Sequence, residues 1–175
     1  MINPFGVDML KILGIDPGSR ITGYGVIAVE GNKYRYITSG CIKTTGDDMA
    51  SRLHQVFSGL VEVIQLHQPT ESGIEEVFLN KNVNSALKLG QARGAALVAL
   101  AAQSVIVAEY TPRKIKQAVV GYGAAEKHQV QHMVKLLLNL SAIPQQDAAD
   151  ALAVALCHAH SRGIPAKLKE WSSDR

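Results

Sequence analysis

No apolar run in this chain approaches the length of a membrane span. The longest uninterrupted one, Ala95 to Ala102, falls far short of the roughly 18 residues that a bilayer-crossing helix requires. Met1 to Asp8 lacks both the basic n-region and the apolar h-region of a secretory signal. A soluble, cytoplasmic protein with no membrane partner is the expectation. Cysteine is scarce as well. Cys41 and Cys157 stand alone, one in an expected strand and one in an apolar helix, so free buried thiols are expected rather than a disulfide or a thiolate metal pair. No internal repeat is evident. His128 and His132, at i and i+4, lack the intervening glutamate of a zinc-protease helix, and a solvent-facing helix accounts for the pair. His158 and His160, near a helix end, are expected to do no more than favour the helix dipole.

What the chain does contain is enough for one domain. At 175 residues it can bury about 70% of the surface its unfolded form exposes. Its charge is unevenly placed: residues 1–78 hold six Lys/Arg against nine Asp/Glu, and residues 79–175 hold twelve against six. The second half is therefore basic, which favours a polyanionic partner such as nucleic acid, although a modest positive balance also serves solubility.

Three strand-like stretches come first, Leu10 to Asp16, Ile21 to Glu30 and Lys33 to Lys43. The turns Asp16-Pro17-Gly18-Ser19 and Glu30-Gly31-Asn32 predict antiparallel pairing. Residues 47–68 read as an amphipathic helix followed by Pro69. A strand over 72–77, a helix over 84–102 and a strand over 105–109 form a βαβ unit, whose strands should be parallel. Thr111-Pro112 opens a short helix to about Val120, and Gly121-Tyr122-Gly123 ends it in what reads as a connector. Helices over 125–139 and 145–160 complete the chain, divided by Pro144. The expected class is α/β, a mixed five-stranded sheet with helices on both faces, the layout of ribonuclease H-like domains.

Four acids fall where such a domain would aim them inward. Asp16 ends the first strand, Glu75 lies in the strand over 72–77, and Asp147 and Asp150 stand three apart on the last helix, roughly 60° apart on one face. Together they read as a carboxylate cluster for a hard divalent cation, Mg²⁺ or Mn²⁺. Each acid alone admits a plainer role. Asp before Pro-Gly is a turn former, Glu75 could be an edge-strand acid, and Asp147 could complement a helix dipole. Asp150 sits among small and apolar neighbours and is harder to explain away. Only one of Glu75 and Glu76 can face Asp16, since adjacent strand residues point to opposite sides, and spacing alone does not choose between them.

Several stretches are similar to the bacterial crossover junction endonucleases of the RuvC family. They are Gly14-Ile15-Asp16-Pro17-Gly18-Ser19-Arg20, Thr22-Gly23-Tyr24-Gly25, Ile74-Glu75-Glu76-Val77-Phe78, the run from Ser85 to Gly94, Ala125-Glu126-Lys127, Gln129 to Val134, and Asp147-Ala148-Ala149-Asp150-Ala151. The resemblance covers about Leu10 to His160 and implies a nuclease domain over 10–161, flanked by a leader over 1–9 and a tail over 162–175. It further implies a ribonuclease H-like homodimer that resolves Holliday junctions by paired symmetric nicks, with two Mg²⁺ ions per subunit, Mn²⁺ as a substitute, and coupling to the RuvA–RuvB branch-migration complex. Under it Asp16, Glu75, Asp147 and Asp150 are the catalytic metal ligands, with Glu75 chosen over Glu76. Phe78 becomes a base-stacking side chain at the crossover, Lys116 and Lys127 contact phosphates at the scissile region, and Lys81, Lys88, Arg113 and Lys114 contact the DNA backbone more generally. The small-residue helix from Asn84 would pack on its twin in the second subunit.

Three other functions compete. An Asp near Gly and Ser after a first strand also opens actin-like ATPases and sugar kinases, but those enclose ATP between duplicated halves, and no second such motif is present. A non-catalytic junction binder has no use for four acids facing phosphate. A nuclease of RNA–DNA hybrids would share the metal site but not Phe78 or Gln91-Ala92-Arg93-Gly94.

Overall fold

The computed structural model describes residues 9–77 and 82–162. Strands β1 (Leu10–Asp16), β2 (Ile21–Glu30) and β3 (Lys33–Lys43) form an antiparallel meander, and β4 (Glu71–Glu75) and β5 (Ile106–Tyr110) extend it in parallel, in the order β3-β2-β1-β4-β5. The mixed five-stranded sheet expected from the sequence is the one observed. Gly31, at φ +58°, makes the two-residue connection between β2 and β3.

Helices α1 (Met49–His67) and α2 (Val83–Ala102) cover one face of the sheet; α3 (Pro112–Val120), α4 (Lys127–Leu137) and α5 (Gln146–Ser161) cover the other. Alternation along the strands separates the two cores: Leu13 and Ile15 point toward α1 and α2, and Ile12 points toward α5. The helix starts have local causes. The Asp48 carboxylate accepts from Ser51 N at 2.7 Å, Asn82 caps α2, and Thr111 caps α3 ahead of Pro112. Glu126 and Gln129 form a reciprocal capping box that opens α4 at Lys127, two residues later than the start at 125 expected from sequence. Strand β4 runs over 71–75 rather than 72–77.

Helix α5 is the buried centre of the fold, and glycines set its distance from the sheet. A Cβ on Gly14 would come within 2.0 Å of the Ala151 carbonyl oxygen, one on Gly23 within 2.0 Å of that of Asp147, and one on Gly25 within 2.6 Å of Leu152. The backbone of α5 thus lies directly on β1 and β2, with the Ala155 Cβ against Gly14 and Ala148, Ala151 and Ala155 all buried.

His158 departs from the dipole reading. Its ring is buried between Tyr110, whose hydroxyl lies 2.8 Å from Nδ1, and Glu71, whose carboxylate lies 2.7 Å from Nε2. Arg162 donates twice to the same Glu71, at 2.7 and 2.9 Å. A buried imidazole needs such partners, and it ties the end of α5 to β4 and β5. His160 also has a specific role, holding the Ala118 carbonyl at 2.9 Å and meeting Tyr34 edge-on. His128 and His132 are exposed, and His128 pairs with Glu126 rather than with a metal partner. Both cysteines are free, Cys157 buried and Cys41 half-buried.

Candidate active site

Residue 15 of β1 pairs with residue 74 of the parallel strand β4, so Asp16 and Glu75 leave the carboxy ends of two adjacent strands side by side. Open α/β sheets commonly place ligands at that edge. The first turns of α5 cross the same edge. Asp16, Glu75 and Asp150 then line one pocket of about 260 Å³, whose floor and walls are Pro112, Ile115, Val130 and Ala153, with Lys116 and Lys127 at its rim. Asp147 does not line this pocket. It stands one turn earlier on α5, where its backbone meets Gly23, yet it is close enough to Asp16 to be felt electrostatically. Glu76, just beyond the end of β4, lines a separate hollow with Val77, Ala86, Gly90, Arg93 and Glu109, so of the two acids it is Glu75 that shares the pocket with Asp16.

The electrostatics identify this pocket as strained. Burial, reinforced by the carboxylates of Glu75, Asp150 and Asp147, raises Asp16 from 3.8 to about 7. Glu75 is also raised, first by burial and then by Asp150, against the opposing pull of Lys127 and Lys116. Burial would draw the Lys127 ammonium down, but Asp150, 3.2 Å away, together with Asp16 and Asp147, outweighs it and holds the lysine above its usual range. Two lysines cannot balance four acids.

Among the described residues no three His, Cys, Asp or Glu side chains close into a ready-made metal cage. The donor chemistry nevertheless fits a hard divalent cation: oxygen ligands only, gathered from three elements, where burial and then the neighbouring carboxylates raise Asp16. Asp16, Glu75 and Asp150 are the residues that could hold it, with Asp147 adjacent.

The other residues singled out from sequence are more scattered. Phe78 and Lys81 lie outside the described residues. Lys114 rides over the Tyr110 ring at 5.3 Å, Arg113 lies against Gly123, and Lys88 is exposed on α2; none lines the acidic pocket. Sequence reasoning missed two neighbours of the site. Arg93 donates through Nε to the Glu75 carbonyl oxygen at 3.2 Å, and the Cys41 thiol, raised first by burial, is close enough to Asp147 and Asp16 to be raised by them as well. The larger groove between β3 and residues 138–145, about 820 Å³, contains none of the four acids.

Residues 12–158 match the family described as crossover junction endodeoxyribonuclease RuvC. Among proteins of that name, the one from Hahella chejuensis is 54% identical over 167 residues, covering 95% of this chain and 97% of that protein. The one from Psychromonas ingrahamii is 62% identical over 153 residues, covering 87% and 88% respectively. Among solved structures, Thermus thermophilus RuvC in complex with a Holliday junction substrate superposes with a TM-score of 0.81 at 36% identity, over 86% of this chain and 93% of that one.

Proposed function

The chain belongs to the RuvC family of crossover junction endodeoxyribonucleases and has its ribonuclease H-like fold, and from that premise we propose that it resolves Holliday junctions by hydrolysing one phosphodiester bond in each of two opposed strands. The observation that carries the mechanism is the pocket holding Asp16, Glu75 and Asp150 under two lysines. Phosphodiester hydrolysis requires a deprotonated water in line with the scissile bond and stabilisation of the departing 3′ oxygen. Divalent cations, Mg²⁺ in this reading, supply a lowered water pKa and charge neutralisation when bound between carboxylates. Asp16, Glu75, Asp150 and the neighbouring Asp147 would hold them. A bound cation would oppose the burial and the neighbouring carboxylates that raise Asp16 and would favour its ionised form. Lys127 and Lys116 hold positive charge at the rim, where a phosphate oxygen enters, and the apolar wall of Ile115, Val130 and Ala153 limits water access.

A second copy of the chain completes the reading. Helix α2 exposes Val83, Leu87 and Val98, and a Cβ added at Gly90 or Gly94 would meet nothing within its own subunit. Glycine inside a helix costs about 1 kcal/mol relative to alanine. Packing within one chain does not call for that sacrifice; close approach by a twin helix does. Two pockets, one per subunit, would address the two strands of the junction. Phe78 would stack on bases at the crossover, and Lys81, Lys88, Arg113 and Lys114 would contact the arms. In this reading the enzyme would act on recombining DNA in the cytoplasm, with the RuvA–RuvB branch-migration complex as its partner.

Cleavage of a four-way junction, a linear duplex and an RNA–DNA hybrid of matched sequence, each with Mg²⁺, tests the proposal. Paired nicks in the junction alone are expected. Cutting of the hybrid at a comparable rate would replace this reading with a ribonuclease one.

A further inference from the structure

We infer that Arg93 is a positioning residue for Glu75, acting through the main chain; the inference rests on Glu75 serving the proposed cleavage site. Glu75 is the last residue of β4, and Glu76 and Val77 beyond it have no regular structure. At this point β4 is paired only with β5, through Glu75 and Tyr110, and a side chain from α2 adds a second hold. Arg93, midway along α2, donates through Nε to the Glu75 carbonyl oxygen at 3.2 Å, and its other arm pairs with the Glu109 carboxylate. Glu109 stands in register with Ile74, so one guanidinium spans the carboxy ends of β4 and β5 from a helix that packs over them. The Glu76 amide closes the same junction by donating to the Tyr110 carbonyl at 2.9 Å.

The geometry explains why the residue is arginine. A planar fork can hold a carbonyl with one nitrogen and a carboxylate with another at once, which an ammonium on a flexible stem does less well. Its side chain is 18% exposed and already paired, so it offers little to DNA phosphates. What it controls is the direction in which the Glu75 peptide, and with it the carboxylate, leaves the sheet. Misplacement of a reacting group by about 1 Å can cost about a hundredfold in rate. Gly90 lies one turn earlier on the same helix and lines the hollow beside Arg93, so the clamp adjoins the surface where a second copy would dock.

Arg93→Met, Arg93→Lys and Glu109→Gln in the full chain test this. Single-turnover junction cleavage should fall about 30- to 100-fold in Arg93→Met, with junction Kd within about twofold of wild type. Arg93→Lys should recover part of the loss, and Glu109→Gln should lose less than Arg93→Met. Independently of activity, hydrogen exchange at the Glu76 amide should speed up at least about tenfold in Arg93→Met, while the β1 amides of Ile12 to Ile15 keep their protection. Wild-type cleavage by Arg93→Met, a loss explained entirely by weaker junction binding, or unchanged exchange at Glu76 would each overturn the inference. If Arg93→Met does not fold, Glu109→Gln gives the same exchange test with Arg93 in place. Should wild-type protein not cut junctions at all, the functional reading fails, whereas the exchange result still decides whether Arg93 holds Glu75.

Discussion

Replacing Asp16 by asparagine should stabilise the metal-free protein while destroying its activity. Burial and three neighbouring carboxylates raise Asp16 from 3.8 to about 7, and at about 1.4 kcal/mol per pH unit, ionising it in the fold costs about 4 kcal/mol more than ionising it in the unfolded chain. The sign follows from proton counting. Between those two values the native state holds a proton that the unfolded chain has released, so this group's contribution to stability is lost as pH rises and is fully lost above about pH 7. Asparagine keeps the shape without the charge. In EDTA at pH 8, Asp16→Asn is expected to gain about 2 to 4 kcal/mol, which for a chain of this size raises the thermal midpoint by about 4 to 16 °C. The advantage should fade as the pH falls toward 4. Added Mg²⁺ should raise the wild-type midpoint and leave that of the variant nearly unmoved. Calorimetry or urea melts across pH 4 to 8 read the difference directly, and a variant no more stable than wild type at pH 8 in EDTA would show that Asp16 is not strained.

Glu75→Gln and Asp150→Asn should each lower junction cleavage by at least about a hundredfold while gel-shift affinity stays close to wild type, because ligand charge is lost and basic surface is not; near-wild-type nicking by either removes that acid from the site. Lys127→Ala withdraws a cation that lowers Asp16 and Glu75, so the acid limb of the cleavage pH profile should move to higher pH, and an unmoved limb would place Lys127 outside the field of those acids. A Cβ added at Gly90 meets nothing within 4 Å, so Gly90→Leu should leave the thermal midpoint of a monomer close to wild type while sedimentation shows loss of the dimer; a persisting dimer would exclude this face of α2. Gly14→Ala forces a Cβ to within 2.0 Å of the Ala151 carbonyl and should destabilise by about 3 kcal/mol or more in urea melts.

Patterns with short periods were legible before any coordinates. Strand alternation, the Gly31-Asn32 turn and the Thr111-Pro112 cap lie within a few residues of their causes, and the order of elements with its parallel and antiparallel pairings followed from them. The convergence of Asp16, Glu75 and Asp150 is legible because Asp16 and Glu75 end their strands and Asp150 lies in the first turns of α5, where direction is set by the fold class. The contacts that escaped notice join residues distant in sequence through main-chain atoms or buried polar chains. Arg93 meets a carbonyl that every residue type possesses, so nothing about Glu75 advertises the partner. His158 read as a helix-end cation because its partners, Glu71 and Tyr110, arrive from two other strands. Asp147 matched Asp150 in helical phase, but a one-turn difference in height along α5 leaves it beside the pocket rather than in its wall.

The seam where α5 rests on Gly14, Gly23 and Gly25 leaves no room for a Cβ on the strand side. Mutation of those glycines can therefore move it in one direction only. Any side chain there lifts the helix that bears Asp150 away from the strand that bears Asp16, and no residue smaller than glycine exists to bring the two closer. The helix side alone, where the Ala155 Cβ faces Gly14, has a smaller residue left to adopt. Drift on β1 and β2 would therefore loosen the spacing of the acids before it could tighten it.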